Sequence, residues 1–351
     1  MNVTTPDKKS KPTINIVWLK RDIRLADHEG FYLAEQAEHD YIPLYIFDPD
    51  ELAGPDSSLR HQQFVFHSLV DMNKQLEAFG REIIVCWGNT DKIFEFFSHL
   101  FSVNKVFSYQ ESGTIRTWKR DQRVAAFFAD NGIDWRQGQR DGVVRGMDSR
   151  DGWSKAWLDC MNRPLFYPTY SAPGEHIHAF FKGISDRHPF PIPAELRAEL
   201  ERYPGMHQPV GESQAWKCLE SFMGARGRNY QRHISKPLLS RESCSRMSPH
   251  LAWGNVSIRQ VYGFVNNHMA KAEAPRTYAS FLTRLRWNAH FIQKFEMEPE
   301  YELQCVNRGY ELMSYSNRPD FWRRGSKAVL GSHWLMHACG VWKQRDGLIS
   351  V

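Results

Sequence analysis

The first third of the chain alternates short apolar runs with amphipathic stretches. Residues 14–19 (INIVWL), 41–47 (YIPLYIF), 82–88 (EIIVCWG) and 105–110 (KVFSYQ) are runs of strand length. Continuous rather than alternating apolarity is the pattern of strands covered on both faces of a parallel sheet. Between them Val65, Leu69, Met72, Leu76 and Phe79 recur at helical spacing and stop at Gly80. Thr90 or Asp91 caps a second helix with the face Ile93, Phe96, Phe97, Leu100 and Phe101. A third helix is predicted from about Glu111 to Asn131, ended by Gly132. The alternation predicts a doubly wound, Rossmann-like α/β domain over residues 14–138. Neither G-x-G-x-x-G nor a P-loop lysine signature occurs, which disfavours an ordinary dinucleotide site or an NTPase.

Residues 139–205 read as a connector, rich in Gly, Pro and Arg, with one helical piece at 151–161. A segment of this length is expected to wrap over other structure. The pattern then turns helical, predicting an all-α domain over 206–322. Residues 215–224 form a helix closing at Gly224, followed by the basic string GARGRNYQRHIS. Ser257-Ile258-Arg259-Gln260 is a capping box opening a helix with the stripe Ile258, Val261, Val265 and Met269. Within 280–302, Phe281, Leu285, Ile292 and Phe295 share a face interrupted by Asn288, and Arg284, Trp287 and Phe291 share the adjacent one. An aromatic stripe at this spacing is usually core, but the charge one turn before Trp287 places that face beside a cavity or water.

With 351 residues the chain is long enough for two domains, each with its own core. A net charge of +5 permits a nucleic-acid partner without demanding one. The six cysteines are scattered with no C-x-x-C pair, which argues for a reducing compartment and against zinc or a disulfide framework. Residues 1–13 are polar and basic, a disordered tail without the marks of a signal peptide. No apolar run approaches the ~20 residues of a membrane span. The expectation is a soluble, cytoplasmic monomer without a membrane partner.

Candidate chemistry concentrates at 240–257, SRESCSRMSPHLAWGNVS. Ser248-Pro249 has the form of an N-cap followed by proline at the first helical position. Free N–H groups, the positive end of a helix and nearby hydroxyls favour an anion, most readily a phosphate. A surface helix capped by serine is the plainer alternative for any lone Ser-Pro. The whole string, however, resembles the flavin-phosphate motif of the DNA photolyase/cryptochrome family, T-S-x-L-S-P-x-L-x-x-G-x-I-S. Ser245, Ser248, Pro249, Leu251, Gly254 and Ser257 match it, while Cys244 stands for the threonine and Met247 for the leucine.

Two further strings carry the resemblance. WLKRDIRLADH (18–28) is similar to the family's opening motif, W-x-(K/R)-x-D-x-R-x-x-D-(H/N). Its Lys20, Arg21, Asp22 and Arg24 fit either direct ligand contact at a strand's carboxyl end or an internal ion-pair network. Residues 280–302 resemble the helix between flavin and lesion, but better-known branches read E-x-x-W-R where this chain has Arg284-x-x-Trp287-Asn288, closer to a short bacterial branch. The resemblance implies an FAD cofactor, and an α/β domain able to carry an antenna chromophore of folate or deazaflavin type. It implies ultraviolet-damaged DNA as partner: a blue-light-excited reduced flavin passes an electron to a flipped-out pyrimidine dimer, a lyase reaction. Carried over by position, Tyr230, Cys244, Ser245, Met247 and Ser248 hold the flavin's phosphate arm. Phe281, Arg284 and Asn288 line the flavin, and Trp287, with Arg284, meets the lesion. A cryptochrome-like photoreceptor without repair activity, or a nucleotide-binding module using the α/β domain alone, are the alternatives.

After Trp322 the likeness stops. Joining the last base of each codon over residues 323–351 to the first two of the next permits A-W-K-Q-S-R-T-G-F-P-L-V-D-A-C-M-R-C-L-E-A-T-G-W-I-N-F. Met336-His337 can yield only alanine there, and Trp342-Lys343 only glutamate. This resembles the family's flavin-cradling string, so the tail is expected to be an out-of-frame translation. The helical domain would then be an incomplete shell, FAD retention weak and this chain inactive.

Overall fold

The computed structural model describes residues 11–184 and 188–314, with 319, 320 and 323 beyond them. Most of the basic tail and all but Arg323 of the tail read as out of frame lie outside the described residues.

Five strands, β1 (Thr13–Leu19), β2 (Tyr41–Phe47), β3 (Ile84–Trp87), β4 (Ser102–Tyr109) and β5 (Asp134–Gly138), form one parallel sheet in the order β3-β2-β1-β4-β5. The order reverses between β1 and β4, so their carboxyl ends open the crevice where α/β sheets place ligands. Pro43 is tolerated inside β2 because pairing with β3 begins one residue later, at Leu44–Ile84. The helices of this half are α1 (Glu29–Glu35), α2 (Pro49–Leu52), α3 (Leu59–Leu76), α4 (Thr90–Leu100) and α5 (Ile115–Asp130). One face of the sheet buries Ile14, Ile16 and Trp18 against Phe94 and Phe97 of α4 and Phe128 of α5. The other buries Val17 and Leu19 against Phe31 of α1 and Val65, Leu69 and Met72 of α3.

β5 was absent from the sequence reading. DWRQG has no apolar run because, as an edge strand, it is only partly covered. The predicted start of α5 at Glu111 is also corrected: the helix begins at Ile115, and Glu111 turns inward as an ion-pair partner. Phe79 and Phe96 lie less deep than their spacing implied, and Phe94 replaces Phe96 in the core. Asn89 takes the N-cap position of α4, and the Thr90 hydroxyl donates instead to Asp48.

The connector holds α6 (Trp153–Met161) as predicted, and also α7 (Glu175–Ile184) and α8 (Ala194–Glu201). It wraps over the α/β half: Ile177, Phe180 and Phe181 join the sheet's core, and Gln63 of α3 donates to the carbonyls of Glu199 and Arg202 around α8. The helical half comprises α9 (Glu212–Met223), α10 (Tyr230–His233), α11 (Pro237–Ser243), α12 (Ser248–Trp253), α13 (Ile258–Met269) and α14 (Pro275–Met297). The capping box at Ser257 is present with both reciprocal bonds. In α14 the buried stripe is Tyr278, Phe281, Leu285, Ala289, Gln293 and Glu296. Ile292 and Phe295 are only half-buried, and Gln293 is buried because it bonds both ways with the Val144 backbone.

Candidate functional site

α11 ends at Ser243 and α12 begins at Ser248, leaving residues 244–247 as a sharp turn in which Arg246 takes a left-handed φ of 63°. Ser245 is half-buried and Ser248 exposed, so this turn is not packed away inside the helical core. The N-cap expectation for Ser248 is corrected: Met247 holds the cap position, Ser248 is the first helical residue and its side chain makes no cap bond. A hydroxyl not spent on its own helix remains a donor toward solvent. Ser245 Oγ accepts from the Met247 amide at 3.4 Å, and buried Ser243 pairs with His233 Nδ1 at 2.7 Å.

The other candidates divide between core and surface. Met247 and Tyr230 are buried, and Tyr230 packs edge-on against Phe222 and Phe281, a position that pushes its phenol above the ordinary range by burial. Phe281 lies 4.9 Å from Phe222 between ring centres, so it is a core residue of the helical half. Arg284, Trp287 and Asn288 lie on the opposite, wet side of α14. Trp287 is 48% exposed and Phe291 61%, and the Arg284 guanidinium sits 4.6 Å from the Trp287 ring centre. The expectation that this aromatic face meets water or a cavity holds. Cys244 lies half-buried in the turn, its thiol pushed up by burial.

The opening motif resolves into an internal network. Lys20 pairs with Asp121 at 3.3 Å, and burial lowers its pKa despite that partner. Arg21 pairs with Glu111 at 2.7 Å and lies over Trp253. Burial opposes the Glu111 charge, yet Arg120, Arg21 and Lys20 together hold its carboxyl below the usual range. Asp22 accepts from the Lys20 amide and from His28 Nε2 at 2.8 Å; since His28 Nδ1 accepts from the Phe31 amide, the ring is the neutral Nε2–H tautomer. Arg24 donates to the carbonyls of Asp27 and Gly254.

This network reaches into the serine motif, whose second half serves the seam between the two halves of the chain. Gly254 has φ 74°, and a Cβ there would lie 2.2 Å from the Arg21 carbonyl oxygen, so only glycine permits the approach. The Ile23 amide donates to the Trp253 carbonyl, and Asn255 Nδ2 donates to the Ile23 carbonyl. Asp27 accepts from Ser257 Oγ (2.5 Å), Arg259 Nη2 (2.7 Å) and the Phe166 amide (3.1 Å). Asn255, His250 and Arg259 escaped the sequence reading: His250 and Asn255 stand at unspecified positions of the motif, and Arg259 lies beyond its end.

A cavity of about 580 Å³ lies at the carboxyl end of β2, between Asp48 and Glu51 on one side and Arg116, Lys119, Arg120 and Arg123 of α5 on the other. Burial pushes Glu51 up to about 7 in spite of Arg120. A shallower one of about 500 Å³ lies by Phe79 and Pro173. Glu302 and Leu303, beyond α14, complete the lining of the larger cavity, and Ser248, Arg284 and Trp287 line neither cavity and are exposed. Among the described residues no cluster of His, Cys, Asp and Glu could hold a metal, and no helix is long and apolar enough to cross a membrane.

Comparison with known proteins adds a line independent of this geometry. The DNA photolyase family profile matches residues 15–149. A deoxyribodipyrimidine photo-lyase of Alkalihalophilus pseudofirmus is 23% identical over 334 residues, covering 89% of this chain and 66% of that protein. A cryptochrome DASH of Natronomonas pharaonis is 24% identical over 306 residues, covering 80% and 62%. The chain thus spans less than two thirds of either relative's length. The crystal structure of an archaeal photolyase from Sulfolobus tokodaii with two FAD molecules superposes with a TM-score of 0.68 at 18% identity, covering 93% of this chain and 69% of that one. That likeness is one of fold. Profile, relatives and fold together support membership of the photolyase/cryptochrome family.

Proposed function

We propose that this chain derives from a light-driven DNA repair enzyme acting on pyrimidine dimers. The turn at 244–248 takes the FAD diphosphate, and the outer face of α14 takes the lesion. The observation that carries the reading is the turn itself: half-buried Ser245 and exposed Ser248 on either side of the left-handed Arg246. Its donors suit a diphosphate, so this end of the site fits FAD. When bound, FAD supplies light absorption and electron transfer to the dimer. The chain's own residues bind and orient: Ser245 and Ser248 donate to phosphate, Tyr230 backs the turn, and Arg284 and Asn288 border the flavin. Trp287 offers a ring face for stacking an extruded base, worth about 1–3 kcal/mol per base in single-strand binders. Exposed Arg276 and Arg286 on the same helix suit the flanking phosphates, so affinity should fall with salt. We place an antenna chromophore, where one is bound, in the 580 Å³ cavity at the sheet's carboxyl edge.

Because Arg284, Trp287 and Asn288 are exposed, FAD is held weakly by this polypeptide and repair by it is lost. Flavin absorbance of the purified chain and dimer loss from an ultraviolet-irradiated oligonucleotide under blue light test this; stoichiometric flavin, or repair, would overturn the inactive reading. Photoreceptor function is the second reading. It is favoured by Arg284, whose guanidinium stacks on Trp287 where better-known branches of the family carry a carboxylate. Light-driven flavin reduction without dimer loss, in a variant with the reading frame restored, would support it.

A further inference from the structure

Arg226, at the start of a single 3-10 turn (Arg226–Asn229) between α9 and α10, has an unusual set of partners. Among the described residues these are carbonyls, one hydroxyl and the Cys218 sulfur (3.8 Å), not carboxylates. Nη1 donates to the carbonyls of Glu242 (3.0 Å) and Cys244, Nη2 to those of Cys218 (2.8 Å) and Ser245 (3.3 Å), and Nε to Ser221 Oγ (3.0 Å). The next carbonyl along the turn, that of Arg246, accepts from Gln208 Nε2. Four acceptors of the segment 242–246 are therefore drawn to side chains from outside it.

In a planar trans peptide the C=O of one residue and the N–H of the next point in opposite directions. Carbonyls of Glu242, Cys244 and Ser245 gathered on one guanidinium therefore send the amides of Ser243, Ser245 and Arg246 the other way. The carbonyl end of α11 is also the negative end of that helix, and a cation is favourable there. Without Arg226, the Glu242 and Cys244 oxygens would lose this tie and could rotate toward the mouth of the turn, where they would repel an anion, while the Ser245 oxygen would keep only the Cys218 thiol (3.1 Å).

We propose that Arg226 is a positioning residue of the phosphate turn: its guanidinium fork ties back the carbonyls of 242, 244 and 245, so that the 245–248 segment presents donors alone to a diphosphate. The inference rests on the flavin reading above. It concerns the fork rather than the charge, because a lysine cannot span carbonyls on both sides of the turn.

The test uses the full chain, wild type and the variants Arg226→Lys and Arg226→Gln. Equilibrium affinity is measured for FAD, for riboflavin, which has no phosphate, and for inorganic pyrophosphate, with a thermal melt of each apo-protein. Both variants should lose at least tenfold in affinity for FAD and pyrophosphate while riboflavin binding stays within twofold. A merely structural role would lower all three affinities together with the melting temperature, and that result overturns the proposal. Wild-type affinity for pyrophosphate in Arg226→Lys also overturns it. Wild-type binding of pyrophosphate but not FAD, with the variants losing the former, sinks the flavin reading and leaves the positioning role standing. Binding of neither by wild type removes both. Should the Arg226 variants fail to fold, Gln208→Leu releases the Arg246 carbonyl alone; it should weaken pyrophosphate binding with riboflavin unchanged, and unchanged pyrophosphate affinity counts against the proposal.

Discussion

Asp27 is the point at which three parts of the chain are fastened, and replacing it with asparagine should cost more than any surface change. Its carboxylate is buried and accepts four bonds: from Arg259 Nη2 (2.7 Å) and Nε (3.2 Å) on α13, from Ser257 Oγ (2.5 Å) at that helix's cap, and from the Phe166 amide (3.1 Å) in the connector. The residue itself has φ 49°, a conformation asparagine tolerates, so Asp27→Asn changes charge and acceptor count without adding backbone strain. The Arg259 side chain is 13% exposed, and losing its counter-ion leaves a nearly buried cation with the Pro164 carbonyl, the Phe166 ring face and the more distant charge of Glu29. Breaking a buried pair from one side typically costs about 3–5 kcal/mol. Since asparagine keeps one acceptor oxygen, the lower end, about 3 kcal/mol, is expected in urea denaturation. Arg259→Met in the Asp27→Asn background should recover part of the loss, because the stranded charge is gone. A single-variant loss under about 1 kcal/mol, or strictly additive effects of the two changes, would refute the view that this pair fastens the seam.

Gly254→Ala should destabilise the chain by at least about 1 kcal/mol from its left-handed φ alone, with more from the 2.2 Å approach to the Arg21 carbonyl; a neutral result in the same denaturation assay would refute the close-contact reading. Burial lowers the His250 pKa to about 4, so between pH 6.5 and 4 the unfolded chain binds the extra proton and stability falls as the solution is acidified, by roughly 3 kcal/mol. His250→Gln should flatten that part of the stability–pH curve relative to wild type, and an unaltered slope would refute the assignment. Gene sequencing across codons 323–351 should reveal synonymous choices that encode A-W-K-Q-S-R-T-G-F-P-L-V-D in the shifted frame; codons unable to do so would end the out-of-frame reading.

Strands with two covered faces announce themselves, and four of the five could be read from apolar runs, whereas β5 could not because a polar edge strand looks like a loop. The connector's α7 hid behind prolines at 173 and 189 that bracket it without entering it. In the site, the turn was legible because its order of hydroxyl, hydroxyl and proline resembles the family's flavin-phosphate string. The same string also encodes the seam, and sequence alone had no means of separating the two uses. Gly254, Asn255 and Ser257 contact Arg21, Ile23 and Asp27 rather than the open face of the turn. Lys20 and Arg21 show the converse ambiguity: a cation at a strand's carboxyl end suits a ligand, and only the placement of Asp121 and Glu111, about a hundred positions on, shows these charges to be matched from within. Part of what marks the motif is therefore the demand for a rigid seam, since a turn clamped to the sheet by Gly254 and Asp27 has little freedom to collapse on itself. Loosening the seam with Asp27→Asn should for that reason weaken the diphosphate binding proposed for Ser245 and Ser248, read as pyrophosphate affinity, although neither serine is altered.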